Sequence, residues 1–214
     1  PTGLHVYESG AVVLALEEDP HEPPARPFHV EALPEEAARE AVRLARRLAL
    51  PLEGYTADGG FFVEGDSPLL EAHQRLLGVE AEGADLLRLS SPLVRLQVLA
   101  EGEAPVERLL EALPRGLQAH VAESPKMPGV RFVSLTKEGV SKLSAARLVA
   151  EAYGLPLSEC AMVGDGENDL ELLRAVGVGI AMGNAPPSVK RAAQRVVAPV
   201  EACGLAEALR LLRG

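Results

Sequence analysis

Val163-Gly164-Asp165-Gly166-Glu167-Asn168-Asp169 is the stretch that decides how this chain is read. Upstream, Cys160-Ala-Met-Val163 is short, apolar and followed by glycine, which suits a buried parallel strand. Downstream, Leu170 to Val176 has helical spacing and stops at Gly177. Asp165 therefore sits at the carboxyl end of a strand, the edge where ligands collect in open α/β sheets. Asp169, four residues on, falls in the first turn of the following helix and can face the same crevice. Two carboxylates among glycines leave room for a hydrated Mg2+ and a phosphate, because that ion takes few protein carboxylates and keeps several waters. Asp165 and Asp169 are thus candidate metal ligands and catalytic groups. Helix capping by Asn168 or Asp169 is the plainer role for the same residue types. An EF-hand loop is excluded, since its sixth position counted from Asp165 is Leu170 where glycine is required, and a strand precedes it instead of a helix.

The flanks make the stretch more specific. Met162-Val-Gly-Asp-Gly-Glu-Asn-Asp-Leu-Glu-Leu-Leu-Arg-Ala-Val-Gly-Val-Gly-Ile-Ala-Met-Gly-Asn-Ala185 resembles the fourth motif of the haloacid dehalogenase superfamily of phosphatases. Glu138-Gly-Val-Ser-Lys-Leu-Ser-Ala145 resembles the lysine motif of the same superfamily, and the match covers residues 130 to 214. The resemblance implies an α/β fold, a Rossmannoid parallel-sheet core carrying an inserted α+β cap. It also implies Mg2+ and a small phosphomonoester such as a sugar phosphate, attacked by an aspartate to give an aspartyl-phosphate that water hydrolyses. In that mechanism Asp165 ligates the metal, Asp169 completes or orients its shell, and Lys142 offsets charge on nucleophile and phosphate. Asn168 and Asn184 would lie near the substrate, although a loop turn accounts equally well for Asn184 in Gly183-Asn-Ala185. Lys137 competes for the lysine role. Lys142 fits better, because Ser141 can cap a helix from Lys142 to Tyr153 and a cation at its start can meet a bound phosphate. A lysine there opposes the helix dipole, so something negative has to hold it.

The attacking half of that mechanism needs a strand ending in Asp-x-Asp, and this sequence has none. Its other aspartates are Asp19, Asp58, Asp66 and Asp85, and none follows an apolar strand-like run. Thr56-Ala-Asp-Gly-Gly60 reads as a hairpin turn between Leu52 to Tyr55 and Phe61 to Val63. The chain opens with His5 to Leu14, two apolar segments around Ser9-Gly10, resembling a hairpin of the Cof-type branch whose usual text is Glu-Asn-Gly-Ala. That alignment implies a βαβ portion preceding residue 1 in a complete relative, whose absence would leave a sheet edge unpaired. Three functions stay open: a phosphatase whose nucleophile lies outside these residues, a non-catalytic remnant or binding module, and a phosphomutase.

Composition narrows the setting. A net charge of −10 excludes nucleic acid as a natural partner, which needs a basic stripe. Two cysteines are too few for a disulfide framework, and Cys160 is expected as a buried strand residue. No apolar run is long enough to span a membrane, which also disposes of a cation-pumping ATPase with a similar Gly-Asp-Gly-x-Asn-Asp text. The expected setting is cytoplasmic, with a small phosphorylated metabolite as partner, no membrane contact, and an oligomer left open. Four lysines against seventeen arginines suggest a GC-rich genome and a thermophile.

The organisation follows from the pattern. Glu17 to Pro27 is acidic and proline-rich and reads as a connection. Helices are expected at Pro34 to Leu50, at Ser67 to Leu77 capped by Asp66 or Ser67, and at Ala104 to Leu113; strands are expected at Leu93 to Ala100, Leu117 to Ala122 and Val130 to Leu135. The expected division is residues 1–28 as core, 29–128 as an α+β cap, and 129–214 as core with both motifs. A cap excludes water and selects the leaving group, with Tyr55, His73, His120 and Met127 as candidate selectors and packing as their commoner role. No histidines have metal-ligand spacing.

Overall fold

Strand β1 (Gly3–Tyr7) turns back into β2 (Val12–Leu16), which pairs on its other side with β3 (Ala25–Val30) in a three-stranded antiparallel sheet. The structure, a computed structural model, describes residues 2–16 and 25–213. At the β1–β2 turn Glu8 and Ser9 take left-handed backbone, with φ of 49° and 59°. Asn tolerates that region better than most residues, which is a physical reason for the Asn of the Glu-Asn-Gly-Ala text. Ser9 adopts the conformation all the same, and Arg95 Nε donates to Glu8 Oε2 at 2.7 Å. Most of the connection expected at Glu17 to Pro27 lies outside the described residues, but its end is strand. Pro27 pairs opposite Leu14 beside a register shift, and in this edge strand its missing N–H costs nothing.

The chain divides into two compact units, Pro1–Val140 and Ser141–Gly214. The first also holds a six-stranded sheet. In chain order its strands are β4 (Leu52–Thr56), β5 (Phe61–Glu64), β6 (Glu82–Gly83), β7 (Leu93–Glu101), β8 (Leu117–Ser124) and β9 (Met127–Lys137); across the sheet they run β6-β5-β4-β7-β9-β8. The strand expected at Val130 to Leu135 is thus the eleven-residue β9, hydrogen-bonded to β7 and β8, so this sheet continues past residue 128, where the core was expected to resume.

Alternation sends successive side chains of β7 to opposite faces. Leu96 and Val98, with Val133 and Leu135 of β9, meet helix α1 (Glu35–Arg47) through its buried stripe Ala37, Ala41, Val42, Leu44 and Ala45, a helical period. Burying each Leu or Val contributes about 1.5–3 kcal/mol. Two residues past the end of α1, beyond the C-cap Leu48, Ala49 has a φ of 52°, the left-handed conformation usually given to glycine there. On the other face Leu99 and Phe132 meet Leu70 of α2 (Pro68–Leu77), whose start is capped by Ser67 accepting from Leu69 N–H. Helix α3 (Ala104–Glu111) packs Val106 and Leu109 into the α1 cluster.

Beside α2 the sheet carries a buried polar network. Glu53, fully buried, accepts from Tyr55 Oη and Gln97 Nε2 at 2.8 Å each, and its other oxygen lies 2.7 Å from His73 Nδ1. Arg95 sits over the Tyr55 ring at 3.9 Å. Burial pushes the Tyr55 phenol well above the usual tyrosine range. Of the four candidate selectors, Tyr55 and His73 are therefore partners of Glu53, Met127 packs beside Leu70, and His120 is an exposed residue of β8.

The second unit is a parallel sheet, β10 (Ala161–Gly164), β11 (Val178–Ala181) and β12 (Arg195–Val196), in that order. It carries helices α4 (Lys142–Ala152), α5 (Leu170–Ala175), α6 (Pro187–Ala192) and α7 (Gly204–Leu212). Leu173, Ala181 and Val189 form one core, and Ile180, Met182, Val197 and Ala208 a second. β10 has no strand neighbour on its outer edge among the described residues. Cys160, expected within a buried strand, instead precedes β10 and is only half-buried. A short helical turn at Leu157–Glu159 occupies the approach, so the strand begins one residue later.

Candidate active site

Four apolar residues of β10 bring the chain to its carboxyl end, where Asp165 is exposed and the backbone turns through Glu167–Asp169 into α5. Asp169 is tucked beneath that turn, 3% exposed. Its Oδ2 accepts the backbone N–H groups of Asp165 and Gly166 at 3.0 Å each. Its Oδ1 accepts from Lys142 Nζ at 2.5 Å. Both oxygens of Asp169 are therefore engaged. Gly164 makes this possible, because a Cβ there would lie 2.7 Å from Asp169 Oδ2 and 2.8 Å from its Cβ.

Lys142 reaches the turn from the first residue of α4. Ser141 caps that helix by accepting from Ser144 N–H, while Ser144 Oγ accepts from Ser141 N–H, a reciprocal box. Two unpaired donors are satisfied and the lysine is held at a helix start, where the dipole opposes its charge. Asp169 offsets that opposition. The other candidate lysine, Lys137, lies on β9 and donates to Glu31 Oε2, which holds the Glu31 carboxyl below its ordinary range.

Around Asp165 the remaining groups are acidic or neutral. Asn184, in the loop after β11, donates from Nδ2 to Asp165 Oδ2 at 3.2 Å. Ser188 of α6 donates to Glu167 Oε1 at 2.9 Å. Asn168 is exposed on the turn. The five expected residues thus gather on one end of the parallel sheet, where, among the contacts of the described residues, Lys142 is the cation that meets the carboxylates of Asp165, Glu167 and Asp169 through Asp169. Glu167, Ser188 and the backbone of Val200, whose N–H donates to Asn184 Oδ1, join them without having been expected, since their contacts span sequence distances that local spacing does not reveal.

That excess of negative charge suits a divalent cation. Among the described residues no three His, Cys, Asp or Glu side chains are placed to share a metal. Mg2+ does not require three: one or two carboxylates, waters and substrate phosphate complete its shell. The exposed Asp165 carboxylate, hydrogen-bonded on one oxygen only among the described residues, fits that requirement.

A parallel strand ending in an exposed aspartate, with a buried aspartate holding a helix-start lysine, is an arrangement of an α/β protein that suits a phosphate and a cation. The family of haloacid dehalogenase-like hydrolases matches residues 24–209, and the chain belongs to it. The fold class expected from the sequence holds: a parallel sheet in the second unit and an α+β layer in the first. A Haemophilus influenzae protein named as a phosphatase is 27% identical over 198 residues, 92% of this chain and 71% of the relative. The HMP-PP phosphatase of Cronobacter sakazakii is 31% identical over 62% of this chain and 48% of its own length. Among solved structures, a phosphatase of the haloalkanoate (HAD) enzyme superfamily from Bacteroides thetaiotaomicron superposes with a TM-score of 0.75 at 25% identity, over 94% of this chain and 70% of that one. No helix of the described residues is long and apolar enough to cross a membrane.

Proposed function

We propose that this chain carries the metal- and phosphate-binding half of a Mg2+-dependent phosphatase acting on a small phosphomonoester such as a sugar phosphate. The observation that carries the reading is the Lys142–Asp169 pair beneath the exposed Asp165. Asp165 would hold Mg2+, whose charge would neutralise phosphate oxygens. Lys142, a point charge with donors to spare, would offset the charge of the same phosphate. Asp169 acts through its neighbours: it fixes Lys142 Nζ and, through two backbone N–H groups, the turn that aims Asp165. Asn168 and Asn184 stand at the rim of the same sheet end. The attacking aspartate used across the family is not among the aspartates of this sequence, and phosphate monoesters are among the slowest uncatalysed hydrolyses. Named relatives support the reaction class, and their names do not agree on a substrate.

The test is phosphate release from a panel of sugar phosphates and other small monoesters by the natural gene product, with and without Mg2+. Release is expected only with the metal and is expected to disappear in Asp165→Ala. Full activity in that variant, or activity indifferent to Mg2+, rules the proposal out, and isomerised sugar phosphate in place of free phosphate turns it to a phosphomutase.

A further inference from the structure

Asn184 ties together two segments that lie 19 and 16 residues from it in the chain. Its Nδ2 donates to Asp165 Oδ2 at 3.2 Å, and its Oδ1 accepts Val200 N–H at 3.1 Å. The reversed amide would face a carboxylate with its oxygen and an N–H with its nitrogen, so the pair of partners fixes the orientation. The loop that carries it is clamped. Met182 N–H donates to Gly164 O at 2.9 Å and Gly183 N–H to Ala198 O at 3.2 Å. A Cβ on Gly183 would lie 2.6 Å from Pro199 N, so only glycine lets this loop press against residues 197–199. Those residues are held in turn: Val197 N–H donates to Ala181 O at 3.0 Å, and Ala198 N–H to Glu207 Oε2 of α7 at 2.9 Å.

We propose that Asn184 is a positioning residue that orients the Asp165 carboxylate for a divalent cation, by bridging it to the turn at Val200. This rests on the reading of Asp165 as the metal carboxylate and adds a residue to it. The chemistry of the bridge matters. An amide donor fixes one carboxylate oxygen without cancelling its charge, whereas Lys or Arg at the same place would neutralise Asp165 and compete with the cation. The other oxygen has no hydrogen-bond partner among the described residues. With one amide N–H on Asp165 and the amide oxygen on Val200, Asn184 acts on the cation through Asp165. Partners that orient metal-bound groups are typically worth about 10–100-fold in metal affinity.

Titration calorimetry of Mg2+ into the full chain, without substrate, reads this directly. The parent binds, Asp165→Ala abolishes binding, and Asn184→Ala weakens it about tenfold or more. Asn184→Ser keeps an oxygen as acceptor on the side of Val200 N–H, is too short to reach Asp165 and adds no charge, so it weakens Mg2+ binding as alanine does. That variant carries the test if circular dichroism shows Asn184→Ala to be unfolded. A parent-like affinity in a folded Asn184→Ser, or in a folded Asn184→Ala, overturns the inference while leaving Asp165 in its role. A parent that binds no Mg2+, with Asp165→Ala equally silent, overturns the metal reading itself and the inference with it.

Discussion

Replacing Asp169 by alanine is expected to loosen the acidic turn and free Lys142, and the structure sets the size. Two backbone N–H groups donate to a carboxylate that is 4% exposed as a side chain, and bonds to charged groups are worth about 1.5–3 kcal/mol each. Removing the carboxylate also releases the cost of burying it, and the amide of the exposed Asp165 regains water, which brings each of the two down to about 1 kcal/mol, the worth of an ordinary hydrogen bond. The Lys142 pair adds little. Its lysine is 35% exposed, so screening holds it to about 0.2–1 kcal/mol. The total is about 2–3 kcal/mol of local stability. At about 1.4 kcal/mol per tenfold, amide exchange across residues 161–170 is expected to accelerate by about 30- to 150-fold. Hydrogen exchange by mass spectrometry on the full chain measures it, with peptides from the six-stranded sheet as internal control. Asp169→Asn keeps one acceptor for the two N–H groups but turns an amide donor toward Lys142, so it should fall between the parent and alanine. Exchange in 161–170 within about threefold of the parent in Asp169→Ala would refute the view that this side chain holds the turn.

Other substitutions test other links of the argument. Gly164→Ala puts a Cβ 2.7 Å from Asp169 Oδ2, so the same exchange experiment should reproduce the Asp169→Ala result with Asp169 still present. Ala49→Gly, at an exposed left-handed helix cap, is expected to raise stability by up to about 1 kcal/mol, read as a higher urea midpoint; no gain would mean that the α1 end is not strained. Burial raises the Tyr55 phenol above its ordinary range, so its protonated form contributes stability that is complete below that range and is lost as pH climbs through the raised value. An alkaline titration followed by tyrosinate absorbance should show one of the three tyrosines ionising late, and Tyr55→Phe should remove that step.

The acidic turn was legible because its information is local. A four-residue spacing after an apolar run puts both aspartates at one strand end, and glycines mark where the backbone is crowded. Periodicity likewise revealed α1, whose buried stripe is the one its apolar spacing describes, and the Ser141 cap, whose partner is three residues away. What spacing could not show was where each carboxylate points. Asp169 reads from sequence as a residue that completes or orients the metal shell beside Asp165, and only the fold-back over Gly164 shows both its oxygens in hydrogen bonds to Lys142 and the turn. The burial of Glu53 is not legible in the sequence, because a glutamate in an alternating strand has the pattern of a solvent-facing residue. Its burial depends on His73 and Gln97, which are 20 and 44 residues away. Residues 25–27 read as a connection since Pro27 signals a break, yet an edge strand tolerates proline where a central one would not. The β9 strand runs as far as Lys137 because register with β7 and β8, not hydrophobicity, sets its length.

The central claim is that Asp165 and Lys142 together make a phosphate site that depends on a metal. Binding of inorganic phosphate to the full chain, followed by titration calorimetry with and without Mg2+, tests it most directly. The account predicts binding that is strengthened by Mg2+ in the parent, loses that strengthening in Asp165→Ala, and is weakened in Lys142→Ala whether or not the metal is present. Phosphate affinity that is the same in all three proteins, with and without Mg2+, would contradict it.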